Sequence, residues 1–166
     1  MRYLSEFAQD DEMERRCKTY LVVNDEELQQ GKLTIVAYFT ISLSVFDASA
    51  FPEDVRDELL GSGVGRVSGR FVPAYLIAQI ACSKDYEHSE FSGASLLDFA
   101  ECVVAQASEI TGGNIVYLHC CERLIPYYEG LRYMHMTSEN DVDVPNFMVK
   151  FIDADIIQDE LRGCNA

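Results

Sequence analysis

Positive charge is what this sequence most lacks. Thirteen Lys and Arg stand against 28 Asp and Glu in 166 residues, a formal net charge of −15. A polyanion is held by clustered positive charge, so DNA, RNA and anionic membrane surfaces drop down the order of partners. Long apolar runs are also missing. No window approaches the ~20 consecutive apolar residues of a membrane span, and the opening MRYLSEFAQDDEMERR has no apolar centre of the kind a secretory signal carries. The expectation is a soluble, cytoplasmic protein with no membrane partner. Metal-binding spacings are absent too: there is no C-x-x-C, no H-E-x-x-H and no repeated Cys/His pair, so no metal is expected. The six cysteines, Cys17, Cys82, Cys102, Cys120, Cys121 and Cys164, are expected as thiols, because disulfide frameworks belong to short secreted chains.

What the chain does have is apolar content. At 48% apolar and aromatic residues it can bury a core, and its length fits a single domain over 1–166. Tyr3 to Arg16 reads as a helix with Leu4, Phe7 and Ala8 on one side and Arg15, Arg16 and Lys18 suited to its C-terminal dipole. Thr19–Val23 and Leu33–Val45 read as the two strands of a hairpin, joined by a polar connection from Asn24 to Lys32. Pro52–Leu60 has helical spacing, and a Gly/Ser-rich loop follows it. The nearly continuous apolar run Ala74–Cys82 is expected as the central strand. Gly93–Thr111 is a long helix with Leu96, Leu97, Ala100, Val103, Val104, Ala107 and Ile110 on its inner face, stopped by Gly112 and Gly113. Asn114–Cys120 is a buried strand, Arg123–Leu131 a short helix with Pro126 in its first turn, and Tyr133–Met136 and Phe147–Ile152 are terminal strands. This order makes an α/β or α+β domain.

Two glycine-bearing segments invite a phosphate reading. In Gly61-Ser62-Gly63-Val64-Gly65-Arg66 the context is wrong, because a dinucleotide loop follows a strand and opens a helix, and this one follows a helical segment. Glu90-Phe91-Ser92-Gly93-Ala94-Ser95 is better placed. It joins the central strand to the long helix, where unpaired N–H groups bind pyrophosphate without lysine. Gly93 would let a ligand approach the backbone, and Ser92 and Ser95 can cap the helix or donate to phosphate. His88 reads as a loop histidine beside this segment. A thiol nucleophile at Cys120 or Cys121 would need a base and a lowered pKa, which adjacency to His119 on a strand does not supply.

Joined with Tyr127-Tyr128-Glu129-Gly130-Leu131-Arg132-Tyr133, that segment gives an order of elements that resembles the GNAT N-acetyltransferase superfamily over about Tyr20 to Ile152. In that family a Q/R-x-x-G-x-G/A loop cradles the acetyl-CoA pyrophosphate, and a Phe-Tyr-Glu-x-x-Gly-Phe segment supplies a tyrosine near the thiolate. The chain departs from the pattern at Glu90, Ser95 and Arg132, where Gln or Arg, Gly or Ala, and Gly are usual.

The resemblance implies a mixed, mostly antiparallel central sheet with helices on both faces, and acetyl-CoA as cosubstrate. It implies a cofactor site at Ile80, Ala81, Cys82, Phe91, Ser92, Gly93, Ala94 and Ser95, with Tyr128 protonating the leaving thiolate. For the base it leaves Glu122 or a relaying water. The implied activity is transfer of an acetyl group to a primary amine. The net charge favours a cationic small molecule or a basic protein as acceptor over charged tRNA, and a homodimer is left open. The three departures keep a second reading in view, a catalytically degenerate GNAT-fold module that binds CoA or a protein. Charge alone would also fit an acidic nucleic-acid mimic, but a solvated acidic surface is its ordinary meaning.

Overall fold

The computed structural model describes residues 2–47, 49, 71–86, 92–136 and 146–152. Its six strands are β1 (Lys18–Val23), β2 (Ile35–Asp47), β3 (Phe71–Cys82), β4 (Ile115–Cys120), β5 (Met134–Met136) and β6 (Asn146–Phe151). They form one sheet of order β1-β2-β3-β4-β6-β5. Every neighbouring pair is antiparallel except β3 with β4. The apolar run expected at the sheet centre is β3, and the first two strands are the expected hairpin.

Five helices accompany the sheet among the described residues: α1 (Arg2–Glu6), α2 (Ala8–Met13), α3 (Asp25–Gln29), α4 (Gly93–Thr111) and α5 (Ile125–Gly130). The face of the sheet against α4 carries the larger core cluster, including Phe39, Ile77, Leu97, Val104, Leu118 and Met148. The opposite or far face carries Phe46, Val72, Ala74, Ile115, Tyr117 and Val149. Strand alternation accounts for the division, since Val116 and Leu118 point to α4 while Ile115 and Tyr117 point away. Helices cover both faces, because Tyr3 of α1 stacks on the far-face ring of Tyr38 at 6.0 Å. Among the described residues no helix is long and apolar enough to cross a membrane.

The structure departs from the sequence-based expectation at three places. The single helix expected over Tyr3–Arg16 is two short ones that break at Phe7 and end at Met13. Beside the break Tyr3 stacks on Tyr38, and its hydroxyl donates to Asp11 at 3.0 Å. Arg16 and Lys18 therefore close no helix; Arg16 pairs with Asp11 and Glu14, and Lys18 with Glu12. The connection Asn24–Lys32 contains α3, because Asn24 Oδ1 accepts from the Glu27 N–H at 3.0 Å and caps a turn. In α4 the boundaries agree with expectation, but Ile110 is 84% exposed and Ala105 is buried. The last turn instead directs Thr111 to the Tyr75 hydroxyl on β3.

Side-chain bonds fix the seat of α4. At its C-terminus the Tyr75 hydroxyl donates to the Gly112 carbonyl at 2.8 Å, and Gly112 and Gly113 take φ of +77° and +88°, a region that favours glycine. In its middle, Glu101 accepts from Lys150 of β6 at 2.6 Å and from the Tyr133 hydroxyl at 2.9 Å. The Lys150 ammonium also lies 5.4 Å from the centre of the Tyr133 ring. Leu97 lies fully inside the α4-face core. Leu97→Ala is expected to lower stability by about 2–5 kcal/mol, the range for deleting a buried leucine, read as a lower urea midpoint at unchanged m-value.

Candidate functional site

The two central strands do not stay together. β3 pairs with β2 along its whole length, from Phe71 opposite Asp47 to Cys82 opposite Ala37. With β4 it makes only two pairs, Tyr75 with Val116 and Leu76 with Tyr117. Beyond Leu76 the strands run on to Cys82 and Cys120 without pairing to each other, and a gap opens between them. A bulge sits where they part: Ile41 faces Ile77 and Thr40 faces Gln79, so Ala78 is the extra residue. An extra residue bends its own strand and raises the local twist, which turns β3 away from β4. Ile80, Ala81 and Cys82 lie on this parted stretch, the first and last directed to the α4 face and Ala81 to the far face.

The N-terminus of α4 is built as a capped helix end. Ser92 Oγ accepts from the Ser95 N–H at 3.1 Å, and the Ser92 carbonyl accepts from Leu96 N–H at 3.0 Å. The N–H groups of Gly93 and Ala94 have no acceptor within the helix, as first-turn donors never do, and they carry the positive end of a 19-residue dipole. Gly93 also lies against Tyr127 of α5: a methyl group placed on Gly93 would sit 3.2 Å from the Tyr127 hydroxyl oxygen. Burial foremost, then Asp98 and Cys82, raises the Tyr127 pKa. This one side chain thus links the end of β3 to the start of α4, a placement that no spacing in the sequence reveals.

Adjacent helical residues point about 100° apart, and the two tyrosines have different surroundings. Tyr127 is 43% exposed, whereas Tyr128 is 7% exposed and lies in the α4-face core. Burial chiefly, then Cys120, Tyr127 and Cys121, raises the pKa of Tyr128, so it is a neutral phenol at physiological pH. Its ring meets Tyr127 and Tyr133 edge-on at 5.2 and 5.8 Å. Tyr133 is itself held protonated, by burial first and then by the Glu101 carboxylate it donates to. Arg132 takes φ of +67°. It therefore keeps the left-handed conformation at a position where the resembling motif has glycine.

Ile80, Ala81, Cys82, Ser92, Gly93, Ala94, Ser95 and Tyr128 are all described, and they fall on the parted strand, the α4 N-terminus and α5. Phe91, Glu87, His88 and Glu90 lie outside the described residues, as do the Pro52–Leu60 helix, the Gly61–Arg66 loop and Cys164. Glu122 is exposed in a short 3-10 turn over Glu122–Leu124. Among the described residues no group of His, Cys, Asp and Glu converges as a metal site. His119 lies on the far face beside the gap, a position that its place between Leu118 and Cys120 in the sequence does not signal.

Neither a family model nor a curated protein matches the sequence. Solved structures do match the fold. AtaT complexed with acetyl-methionyl-tRNAfMet superposes with a TM-score of 0.73 at 16% identity, over 96% of this chain and 84% of that one. A tyrosine-to-phenylalanine mutant of KacT gives the same TM-score, identity and coverage. AtaTR bound with acetyl-CoA gives a TM-score of 0.70 at 17% identity, over 96% and 83% of the two chains. The chain therefore has the GNAT fold that the order of its elements resembles. The charge-based argument against nucleic acid is not supported by these neighbours: one is complexed with an aminoacyl-tRNA, and a KacTA structure is a complex with DNA.

A left-handed non-glycine residue costs about 1–2 kcal/mol, partly offset by the chain entropy glycine gives up on folding. Arg132→Gly is accordingly expected to raise stability by about 0.5–1 kcal/mol, seen as a higher thermal midpoint.

Proposed function

We propose that the chain, as one domain over 1–166, is an N-acetyltransferase that moves an acetyl group from acetyl-CoA to a primary amine. The parting of β3 and β4 beyond Leu76 carries this reading. It leaves the backbone of Ile80, Ala81 and Cys82 on an edge that an extended amide-bearing chain such as pantetheine can pair with, as a peptide adds to a sheet edge. Tyr127, which lies against Gly93 and feels Cys82 at the end of β3, relates the α4 N-terminus to the same gap. There the N–H groups of Gly93 and Ala94 and the hydroxyls of Ser92, Ser95 and Tyr127 suit a pyrophosphate, which needs donors and a positive dipole end rather than lysine. Phe91, outside the described residues, directly precedes Ser92 in the sequence and is included in the proposed site on that ground. Acetyl-CoA in the AtaTR structure supports this choice of cosubstrate, and the five described cysteines as thiols support a reducing, cytoplasmic setting.

In the reaction the amine nitrogen attacks the thioester carbon, the C–N bond forms, and the C–S bond breaks with its electron pair on sulfur. Tyr128, a neutral phenol on the α4 face, gives that sulfur its proton. Tyr127 serves the phosphate end, where its hydroxyl meets Gly93. The acceptor is a primary amine. The net charge of −15 favours a cationic small molecule or a basic protein, and the acetyl-methionyl-tRNA held by AtaT favours the amine of an aminoacyl-tRNA as the second reading. Release of CoA from acetyl-CoA across a panel holding polyamines, basic peptides and aminoacyl-tRNA separates the two. Calorimetric binding of acetyl-CoA without turnover on any amine would leave the degenerate module instead.

Two substitutions test the site. Gly93→Asp places a charge and bulk at the helix end and against Tyr127, and is expected to weaken acetyl-CoA binding about tenfold or more, equivalent to about 1.4 kcal/mol. Tyr128→Phe removes only a hydroxyl and is expected to keep affinity and melting temperature. It should lower kcat by about 10²–10⁴-fold, the range for a general acid. Tyr127→Phe should spare kcat and act on affinity, and a larger kcat loss there than at Tyr128 would reverse the assignment.

A further inference from the structure

The acid and the phosphate-binding groups lie on one side of the sheet, and an amine also needs somewhere to leave its proton. Tyr128, the α4 N-terminus and Tyr127 all belong to the α4 face. The far face of the same gap holds a different set. On β4 the alternation that sends Leu118 and Cys120 to α4 sends Tyr117 and His119 outward. His119 is one residue short of the end of β4, within the stretch that has parted from β3, and its side chain reaches solvent.

The ring is positioned rather than loose. Phe147, directly opposite on β6, meets it edge-on at 4.6 Å and 87°, and Tyr117 lies at 5.8 Å. Partial burial against these rings lowers its pKa below the ordinary histidine value, with no charged neighbour contributing. Facing it from its own strand is Tyr117, and from β6 Phe147; neither strand offers a carboxylate, lysine or arginine to that side among the described residues. Across the gap the far face of β3 carries Gln79 and Ala81. Thr19, Thr40 and Gln79 lie side by side on β1, β2 and β3, and the Thr40 hydroxyl, at 0% exposure, has no hydrogen-bond partner among the described residues. Of this row the exposed Gln79 on the parted strand is the polar group that an entering amine can meet, and it carries no charge to repel it.

We propose that His119 is the general base for the acceptor, receiving the proton of a primary ammonium that enters from the far face while Tyr128 acts on the sulfur from the α4 face. This rests on the acetyltransferase reading above. The balance is complete. One ammonium proton passes to the neutral imidazole, and the freed lone pair forms the C–N bond. The second nitrogen proton is lost as the amide forms and replaces the one Tyr128 gave to the thiolate. The imidazolium then returns its proton to water. The net reaction converts an ammonium and a thioester into an amide, a thiol and one proton. Separation of acid and base across the sheet keeps the two proton transfers from short-circuiting each other.

His119→Ala, assayed beside wild type with acetyl-CoA and an amine that turns over, tests this. Calorimetry is expected to give unchanged acetyl-CoA affinity. The expected kcat/KM loss is about 10²–10³-fold, within the range for a general base, with partial recovery on adding imidazole. Because the base acts in its neutral form, wild-type kcat/KM should fall as pH drops through the lowered His119 pKa, and that acid limb should vanish in His119→Ala. Unchanged rate, or a loss with the acid limb intact and no imidazole rescue, would overturn the role of His119 and leave the acetyltransferase reading standing. Absence of acetyl-CoA binding or turnover in wild type would overturn both.

Discussion

β3 has two neighbours and cannot satisfy both. Its pairing with β2 is continuous over eleven register positions apart from one bulge, while its pairing with β4 ends after two. A strand in mid-sheet that forgoes half its hydrogen bonds over six residues leaves an open edge within the sheet, and such an edge is a template for any extended backbone. Ala78 makes this tolerable. By inserting one residue it lets the β2 ladder resume beyond the bulge, so the strain of parting falls on a single step rather than along the strand.

A gap between strands is useful only if its walls hold still. The β2 ladder holds one wall, and β6 holds the other by pairing with β4 from Ile115 to Cys120. Helix α4 is fastened at two points away from its N-terminus, at Tyr75 and at Glu101. The Glu101 cluster is only partly exposed, so its ion pair is screened less than a surface pair and both charges are hydrogen-bonded. Tyr133 contributes to it while packing edge-on to Tyr128, which carries the positional order of α4 and β6 into α5. The left-handed turn at Arg132 is the local cost of placing Tyr133 in that contact directly after a six-residue helix.

The sheet also separates chemistry into two compartments. The α4 face carries tyrosines whose pKa burial raises, and the far face carries an imidazole whose pKa partial burial lowers. The largest cause of each shift is the same, loss of water around a group whose charged form is the more costly to bury. Loss of water thus favours the neutral form of both residue types, and strand alternation decides which side of the sheet His119 lies on.

Local features of the chain account for much of this arrangement. The ends of α4 follow from Ser92, which caps, and from Gly112 and Gly113, which accept a backbone conformation that other residues resist. The centrality of β3 follows from an apolar run without alternation, and the unlike surroundings of Tyr127 and Tyr128 follow from helical geometry. Asn24 with Glu27 is a readable cap that the polarity of the connection conceals. Other features have no local signal. The break at Phe7 accompanies the stacking of Tyr3 on Tyr38, the contact of Tyr127 with Gly93 joins residues far apart in the chain, and the parting beyond Leu76 coincides with a register shift against Thr40. Sequence by itself determined which segments form strands and helices, because periodicity, caps and glycine positions act over a few residues. Only the tertiary structure decided where the sheet opens and that His119 lies beyond the last pair of β4 with β3. Both depend on the register of β3 against β2 and β4 and of β4 against β6, set between residues far apart in the chain.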